Sequence, residues 1–211
     1  MSAIIQTQVF TFDELSIEAK EKARAWYRED NLDYDWWDCV FDDFVDICEM
    51  LGIELKTRPV PLMGGGVRHQ PCIWFSGFCS QGDGASFEGS YRYAKGSVAK
   101  VMAHAPKDED LLGIAQGLTE TQRRNFFGLT ATITHRGRYC HAYSMEINVC
   151  RDDVAMTEDT EEDVTEALRD LANWLYARLE AEYEYLQSDA AVDESIVMNQ
   201  YAFTASGKIF E

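Results

Sequence analysis

The chain has few prolines and histidines, four of each among 211 residues, and it has no long hydrophobic run. No apolar stretch approaches the roughly 18 residues that a transmembrane helix needs. The first residues, Met1 to Gln6, lack the basic and apolar regions of a signal peptide. The sequence therefore predicts a cytoplasmic protein that does not enter a membrane.

Basic residues are also scarce, since 19 Lys and Arg stand against 37 Asp and Glu, a formal net charge of −18. Such a surface repels nucleic acid and anionic membranes and favours basic partners. Hydrophobic residues make up 46% of the chain and aromatics 12%, well above disordered compositions. We therefore expect a packed core, no direct binding to nucleic acid and no membrane association, while self-association stays open.

Metal and cofactor motifs are missing as well. The four histidines and six cysteines show no Cys-x-x-Cys or His-Glu-x-x-His spacing, and the chain has no phosphate-binding Gly-Lys-Ser/Thr motif. Cys140 and His141 could meet Cys72 or Cys79 across a sheet, but adjacent strand residues point to opposite faces. We expect no cofactor, no metal site and six reduced thiols, as is usual without secretion.

The hydrophobic pattern indicates an α+β fold. Helices are predicted over residues 16–29, 34–51, 96–105, 108–127, 161–187 and 189–199. Strands are predicted over residues 4–10, 53–58, 72–78, 85–93, 129–134 and 139–149, with a mobile loop over 59–71 and a small hairpin over 201–210. The fold prediction is an antiparallel sheet of four to six strands packed against N-terminal and C-terminal helices, in a single domain over residues 1–211.

The charge is unevenly distributed. Residues 1–55 carry 14 acidic and 4 basic side chains, residues 56–151 carry 7 and 12, and residues 152–195 carry 15 and 2. On the predicted helix 34–51, five carboxylates form a stripe about 21 Å long on one side: Asp35, Asp38, Asp42, Asp46 and Glu49. Because like charges at this spacing destabilise a helix, the stripe is either a solubilising face or a surface that contacts a basic partner.

A second candidate is the turn between the predicted strands 72–78 and 85–93, formed by Ser80, Gln81, Gly82, Asp83 and Gly84. With Glu88 and either His135 or His141, it could form an acid–base site, or with the basic residues Arg92, Arg136 and Arg138 a nucleotide site. Asp-Gly turns are also common for backbone reasons alone, and the pattern favours that interpretation.

Several segments together resemble a known family. They are Phe12-Asp13-Glu14-Leu15-Ser16, Ala19-Lys20-Glu21-Lys22-Ala23-Arg24, Ser76-Gly77-Phe78-Cys79-Ser80-Gln81-Gly82-Asp83-Gly84-Ala85, Arg123-Arg124-Asn125-Phe126 and His135-Arg136-Gly137-Arg138-Tyr139. They resemble an uncharacterised group of acidic proteins of tailed bacteriophages and prophages, some labelled antitoxins. The resemblance implies a phage or mobile-element origin and carries no catalytic residues.

Charge layout and resemblance together predict a non-enzymatic phage accessory protein acting in the host bacterial cytoplasm. Its acidic helices would imitate nucleic acid and inhibit a host defence machine of the anti-CRISPR or anti-restriction type, by binding a host protein with a basic nucleic-acid-binding surface. The alternatives are an antitoxin that neutralises a basic toxin, and an enzyme or nucleotide-binding protein that uses the turn Gly82-Asp83-Gly84.

Overall fold

The computed structural model describes residues 8–30, 34–152 and 154–210, and within these ranges it has six α-helices and eight β-strands. The helices are α1 (Ile17–Asp30), α2 (Asp38–Leu51), α3 (Ser97–His104), α4 (Glu109–Arg124), α5 (Thr160–Gln187) and α6 (Asp189–Met198). The strands are β1 (Ile53–Leu55), β2 (Thr57–Pro61), β3 (Val67–Pro71), β4 (Ile73–Phe75), β5 (Ala85–Phe87), β6 (Gly89–Arg92), β7 (Thr130–His135) and β8 (Met145–Cys150). Two short 3-10 helices lie at Phe12–Glu14 and Ala142–Ser144.

The main sheet has four antiparallel strands in the order β1-β6-β7-β8. Ile53 lies opposite Tyr91, Tyr91 opposite Ala131, and Ala131 opposite Val149, so one row of side chains crosses the sheet. The first three of these are buried. Thr130 and Thr132, between the buried residues of β7, are exposed, as the two-residue period of a half-buried strand requires. The predicted α+β fold with an antiparallel sheet and terminal helices is confirmed.

The structure corrects several sequence-based elements. The predicted strand 139–149 begins only at Met145, because Ala142–Ser144 is a 3-10 helix, and the predicted strand 85–93 is two strands, β5 and β6, in different sheets. Residues 59–71, predicted to be a mobile loop, contain the ends of the two-stranded ribbon β2–β3, in which Thr57 pairs with Pro71 and Pro61 with Val67. The three glycines that suggested a loop occupy only the turn of this ribbon. Most of the predicted strand 4–10 falls outside the described residues. In the described part of this segment, Phe10 pairs with Phe203.

The chain divides into two compact units. Unit 2 is Asp38–Glu180, and unit 1 combines the described residues up to Trp37 with those from Ala181 onward. Helix α5 contributes its residues up to Glu180 to unit 2 and the rest to unit 1. The single-domain organisation stays a prediction. None of the helices over residues 8–30, 34–152 and 154–210 is long and apolar enough to cross a membrane.

Unit 1 joins the two ends of the chain around an aromatic core. Its buried cluster is Phe12, Leu15, Ala19, Ala23, Val192, Ile196 and Phe203. At its edge Arg24 donates two parallel hydrogen bonds of 2.6 Å to the carboxylate of Asp193. This fork geometry, half withdrawn from water, fixes α1 against α6 more firmly than a surface ion pair would.

In unit 2, two buried amide side chains connect α4 to the elements that follow it. The Gln122 amide donates to the Leu129 carbonyl at 2.8 Å and accepts from the Leu129 N–H at 3.1 Å. The Asn125 nitrogen lies 2.9 Å from the Thr160 hydroxyl and 3.0 Å from that of Thr157, and its oxygen accepts from the Thr157 N–H at 3.1 Å. Both amides are 0% exposed, so water does not replace a lost partner.

We expect Asn125→Ala to lower the free energy of unfolding by about 1–3 kcal/mol, because it removes the hydrogen bonds of a fully buried amide to the Thr121 carbonyl, the Thr157 N–H and the Thr160 hydroxyl. Asn148→Ala, at an exposed position of β8, is the control and should stay within about 0.5 kcal/mol. Chemical denaturation measures both. Equal effects of the two substitutions would show that the Asn125 network does not hold these elements together.

Candidate functional site

One side of α2 carries a row of carboxylates, which we call the acidic face: Asp38, Asp42, Asp46 and Glu49. Their spacing of four, four and three residues places them along about 17 Å of one side of the helix. The last three are exposed, and Asp38 is half-buried at the first helical position. Phe44, Ile47, Cys48 and Leu51 fill the opposite side and are buried, which fixes the orientation of the acidic face toward solvent.

The sequence placed Asp35 on the same helix, and this was wrong. Helix α2 begins at Asp38, and Asp35 precedes it in unit 1. The aromatic pair Trp36 and Trp37 lies in a turn with ring centroids 5.6 Å apart, so the hydrophobic periodicity that extended the predicted helix comes from a turn instead. Asp43, a neighbouring carboxylate of α2 outside the row, lies 2.7 Å from the His104 ring and links α2 to α3.

The acidic face has no cationic counterpart on its own helix. Helix α2 contains no Lys or Arg, and among the ion pairs between described residues none involves the four members of the face. Each like-charged neighbour pair costs a helix about 0.2–0.5 kcal/mol. The face therefore stabilises α2 neither by local pairing nor by burial, and its chemistry is that of an anionic surface available to a cationic one.

The turn that the sequence singled out belongs to a loop over residues 76–84 between β4 and β5, and its polar groups are largely used internally. The Asp83 carboxylate accepts from the N–H of Ser80 at 2.7 Å and from that of Cys79 at 2.9 Å. These two backbone bonds lower the pKa of the Asp83 carboxyl from its usual value. Across the loop, the Ser76 N–H donates to the Gly84 carbonyl at 3.0 Å.

A neighbouring segment presses against the end of this loop. A Cβ added at Gly84 would lie 2.6 Å from the Cβ of His141 and 3.0 Å from the Cys140 carbonyl oxygen. On the other side of the loop, the Tyr176 hydroxyl donates to the Gly77 carbonyl at 3.0 Å. Glycine at position 84 is therefore required by close packing, which explains part of the Ser-Gly-Phe-Cys-Ser-Gln-Gly-Asp-Gly segment without a ligand.

The candidate acid–base partners of this loop are engaged elsewhere. Glu88 binds the Lys56 ammonium at 2.6 Å and accepts from the His135 N–H at 3.1 Å. Burial raises the pKa of Glu88, but these two hydrogen bonds outweigh burial and hold the pKa below its usual value. The His135 ring stacks on Trp74 with centroids 5.0 Å apart. Of the acid–base candidates, only His141 lies directly against the loop, at Gly84.

The three arginines considered for a nucleotide site do not come together. Arg92 pairs with Thr130 at the start of β7, whereas Arg136 follows the end of the same strand, about 20 Å further along. Arg136 also binds Glu146 at 2.9 Å. No disulfide joins any of the six cysteines, and no group of three metal-ligating side chains forms among residues 8–30, 34–152 and 154–210.

A groove between α4 and α5 was not found by sequence reasoning. We call it the α4–α5 groove; it encloses about 770 Å³. Its floor includes Gly113, Ile114, Gly117, Ala167 and Trp174, and acidic side chains line its sides. At one end the Trp174 indole donates to Asp108 at 2.9 Å, and at the other Arg124 binds Asp163. The available signal was the Gly-x-x-x-Gly spacing inside a predicted helix.

A family comparison adds one fact to this geometry. Residues 36–189, more than half of the chain, match the family described as Domain of unknown function (DUF8835), so the chain belongs to this family. No curated protein and no solved structure matches the chain. The matched range includes the acidic face, the loop over residues 76–84 and the α4–α5 groove, and it leaves out Asp35 and α1.

We expect Gly84→Ala to lower the free energy of unfolding by about 1–3 kcal/mol, because the backbone of His141 must move to admit the new methyl group. Gly64→Ala is the matched control, since a Cβ at Gly64 meets no atom within 4 Å. Thermal denaturation of the two variants measures the difference. A Gly84→Ala protein as stable as the Gly64→Ala protein would contradict the close packing.

The contribution of Asp83 to the free energy of unfolding should depend on pH. Its pKa is lower in the folded protein than in the unfolded chain, so ionised Asp83 stabilises the fold above the unfolded pKa of about 3.9. That contribution is lost as the pH falls through the folded pKa. The stability difference between the parent and Asp83→Asn should be constant above about pH 5 and shrink below about pH 4. Urea denaturation across this range measures it, and a constant difference would contradict the assignment.

Proposed function

We propose that this protein is a non-enzymatic binding protein whose acidic face occupies a basic, nucleic-acid-binding surface of another protein. The supporting observation is the row of carboxylates on α2, exposed at Asp42, Asp46 and Glu49 and without a Lys or Arg on the same helix. The row carries a charge roughly every 5.5 Å, sparser than the one per about 1.7 Å of duplex DNA. It therefore suits a short stretch of a basic groove.

We propose that the target is a host defence protein that acts on nucleic acid. The support is the resemblance to acidic phage and prophage proteins, together with the chemistry of such targets, whose nucleic-acid channels are lined by Lys and Arg. An anionic helix in that channel would compete directly with the phosphate backbone. The loop over residues 76–84 favours no enzymatic alternative, because its carboxylate is committed to the Ser80 and Cys79 N–H groups.

Charge reversal of the acidic face should abolish inhibition while the protein stays folded. We would change Asp42, Asp46 and Glu49 to Lys, leaving Asp38 because a carboxylate at a helix start is favourable. Lys forms helices better than Asp, so the melting temperature should be unchanged or higher. Loss of steering and of the direct contacts should slow association by roughly tenfold or more at physiological salt.

The measurement is the plating efficiency of a restricted phage on bacteria that carry a CRISPR or restriction system and express the protein. The parent should raise plating and the reversed variant should not. The matched control changes Glu29, Glu184 and Glu194 to Lys, three exposed carboxylates of unit 1 with the same total charge change. A folded reversed variant that protects the phage as well as the parent would mean that the acidic face is only a solvated surface.

A further inference from the structure

The ribbon β2–β3, which we call the arm, is exposed on both sides. From Lys56 to His69 only Val60 is even partly covered, so the two strands pack on almost nothing within the described residues. An isolated two-stranded ribbon is marginally stable in water. The five residue pairs of the arm therefore do not contribute to the core of unit 2, and the arm has another role.

The arm differs in charge from the rest of the chain. Residues 55–82 contain no Asp or Glu, although the whole chain has 37 of them. In the same stretch are the cations Lys56, Arg58 and Arg68. Lys56 is bound to Glu88 at the base of the arm, whereas Arg58 donates a hydrogen bond to the neutral Gln70 on the facing strand. The outer part of the arm is thus a cationic element on an anionic protein.

The tip of the arm is apolar and exposed. Met63 is fully exposed, Val67 is 57% exposed and Leu62 is 50% exposed, on either side of three glycines. Such side chains at the end of a projecting ribbon are typical of a contact that buries them.

Three of the four prolines of the chain, Pro59, Pro61 and Pro71, lie on the strands of the arm. Because proline lacks the N–H of a ladder bond, a partner meets the arm through side chains rather than by adding a strand.

The α4–α5 groove has the complementary properties. Its sides carry the carboxylates Glu109, Asp110, Glu120, Asp163, Glu166 and Asp170 against the two arginines Arg124 and Arg178. Its apolar lining combines the small residues Gly113, Gly117 and Ala167 with Ile114 and Trp174. A Cβ added at Gly113 or Gly117 would meet no atom within 4 Å, so no contact within the described residues explains two glycines inside a helix. Each costs the helix about 1 kcal/mol relative to Ala, and space for an occupant accounts for that cost.

The dimensions of the two elements agree. The strands of the arm have five residues each, about 17 Å, and α4 runs for 16 residues, about 24 Å, along the groove. No residue of the arm lines the groove in this chain, and the tip of the arm is exposed. The arm of this chain therefore does not fill its own groove, and an arm seated there belongs to another copy.

We propose that the arm of one copy of this protein seats in the α4–α5 groove of a second copy. Arg58 and Arg68 meet the acidic sides, and Leu62, Met63 and Val67 cover the apolar floor at Gly113 and Gly117. The contact joins two different surfaces, so it is heterologous and builds either a closed ring or an open chain of copies. A second copy is the favoured partner because every copy carries both the cationic arm and an acidic groove that complements it.

The test uses two variants with complementary defects. The arm variant carries Arg58→Glu and Arg68→Glu, and the groove variant carries Glu166→Lys and Asp170→Lys, two exposed residues without an ion pair among the described residues. Sedimentation velocity of the parent should show association that rises with protein concentration and weakens between ~50 mM and ~500 mM salt. Each variant alone should be monomeric, with a self-association constant at least tenfold weaker than that of the parent.

A mixture of the arm variant and the groove variant tests whether the arm of one copy binds the groove of another. An equimolar mixture of the two variants contains one intact groove and one intact arm, on different molecules. If all four substitutions act by charge alone, the mixture should form a one-to-one complex through that intact pair. Circular dichroism of each variant checks folding. A third variant, Gly117→Leu, fills the floor without changing charge and should lose association while its melting temperature does not fall, since Leu is the better helix former.

Three results would overturn the proposal. They are a parent that stays monomeric at all concentrations, a mixture that stays monomeric while the parent associates, and a Gly117→Leu protein that associates as the parent does. Binding of a short DNA duplex by the parent but not by the arm variant, without self-association, would assign the arm to nucleic acid instead. The acidic face of α2 is unchanged in all three variants, so the outcome is independent of the proposed inhibitory function.

Discussion

The buried amides of Gln122 and Asn125 are the constraint on which unit 2 depends. Gln122 satisfies both backbone groups of Leu129 just before β7 begins, and Asn125 binds Thr157 and Thr160 at the start of α5. One turn of helix thus fixes both a sheet strand and a second helix. Buried polar groups tolerate few alternative partners, so this pair specifies the connection more strictly than apolar packing does.

The hydrogen bonds at the ends of α4 also determine the shape of the α4–α5 groove. Because Asn125 and Arg124 tie the end of α4 to the beginning of α5, and Asp108 ties the other end of α4 to Trp174, the two helices are held at both ends of their shared length. Between these links Gly113, Gly117 and Ala167 leave space, which is the α4–α5 groove. A cavity bounded in this way keeps its form without an occupant, as a preorganised binding surface requires.

Charge is sorted by structural element. Carboxylates concentrate on the acidic face of α2 and along the groove. The longest stretch without a carboxylate, residues 55–82, includes the whole arm and the loop residues up to Gly82. The net charge of −18 is therefore the sum of surfaces with opposite character. Both proposals rest on this separation: an anionic helix suits a basic partner, and a cationic ribbon suits an anionic groove.

The sequence by itself determined the fold class, because burial on one side of a helix or strand leaves a period that can be read directly. The alternation of Thr130 to Ile133 and the row Asp42, Asp46 and Glu49 opposite Phe44 and Cys48 are such cases. It misassigned residues 59–71, since glycines mark a turn and a mobile loop alike. It also began α2 too early, at Tyr34, because Trp37 lies in a turn but matches the helical spacing of the hydrophobic residues that follow. The groove and the role of Gly84 were decided only by the tertiary structure, because both depend on contacts between segments far apart in the chain, His141 against Gly84 and α5 beside α4. The hydrophobic pattern of a local segment carries no information about such contacts.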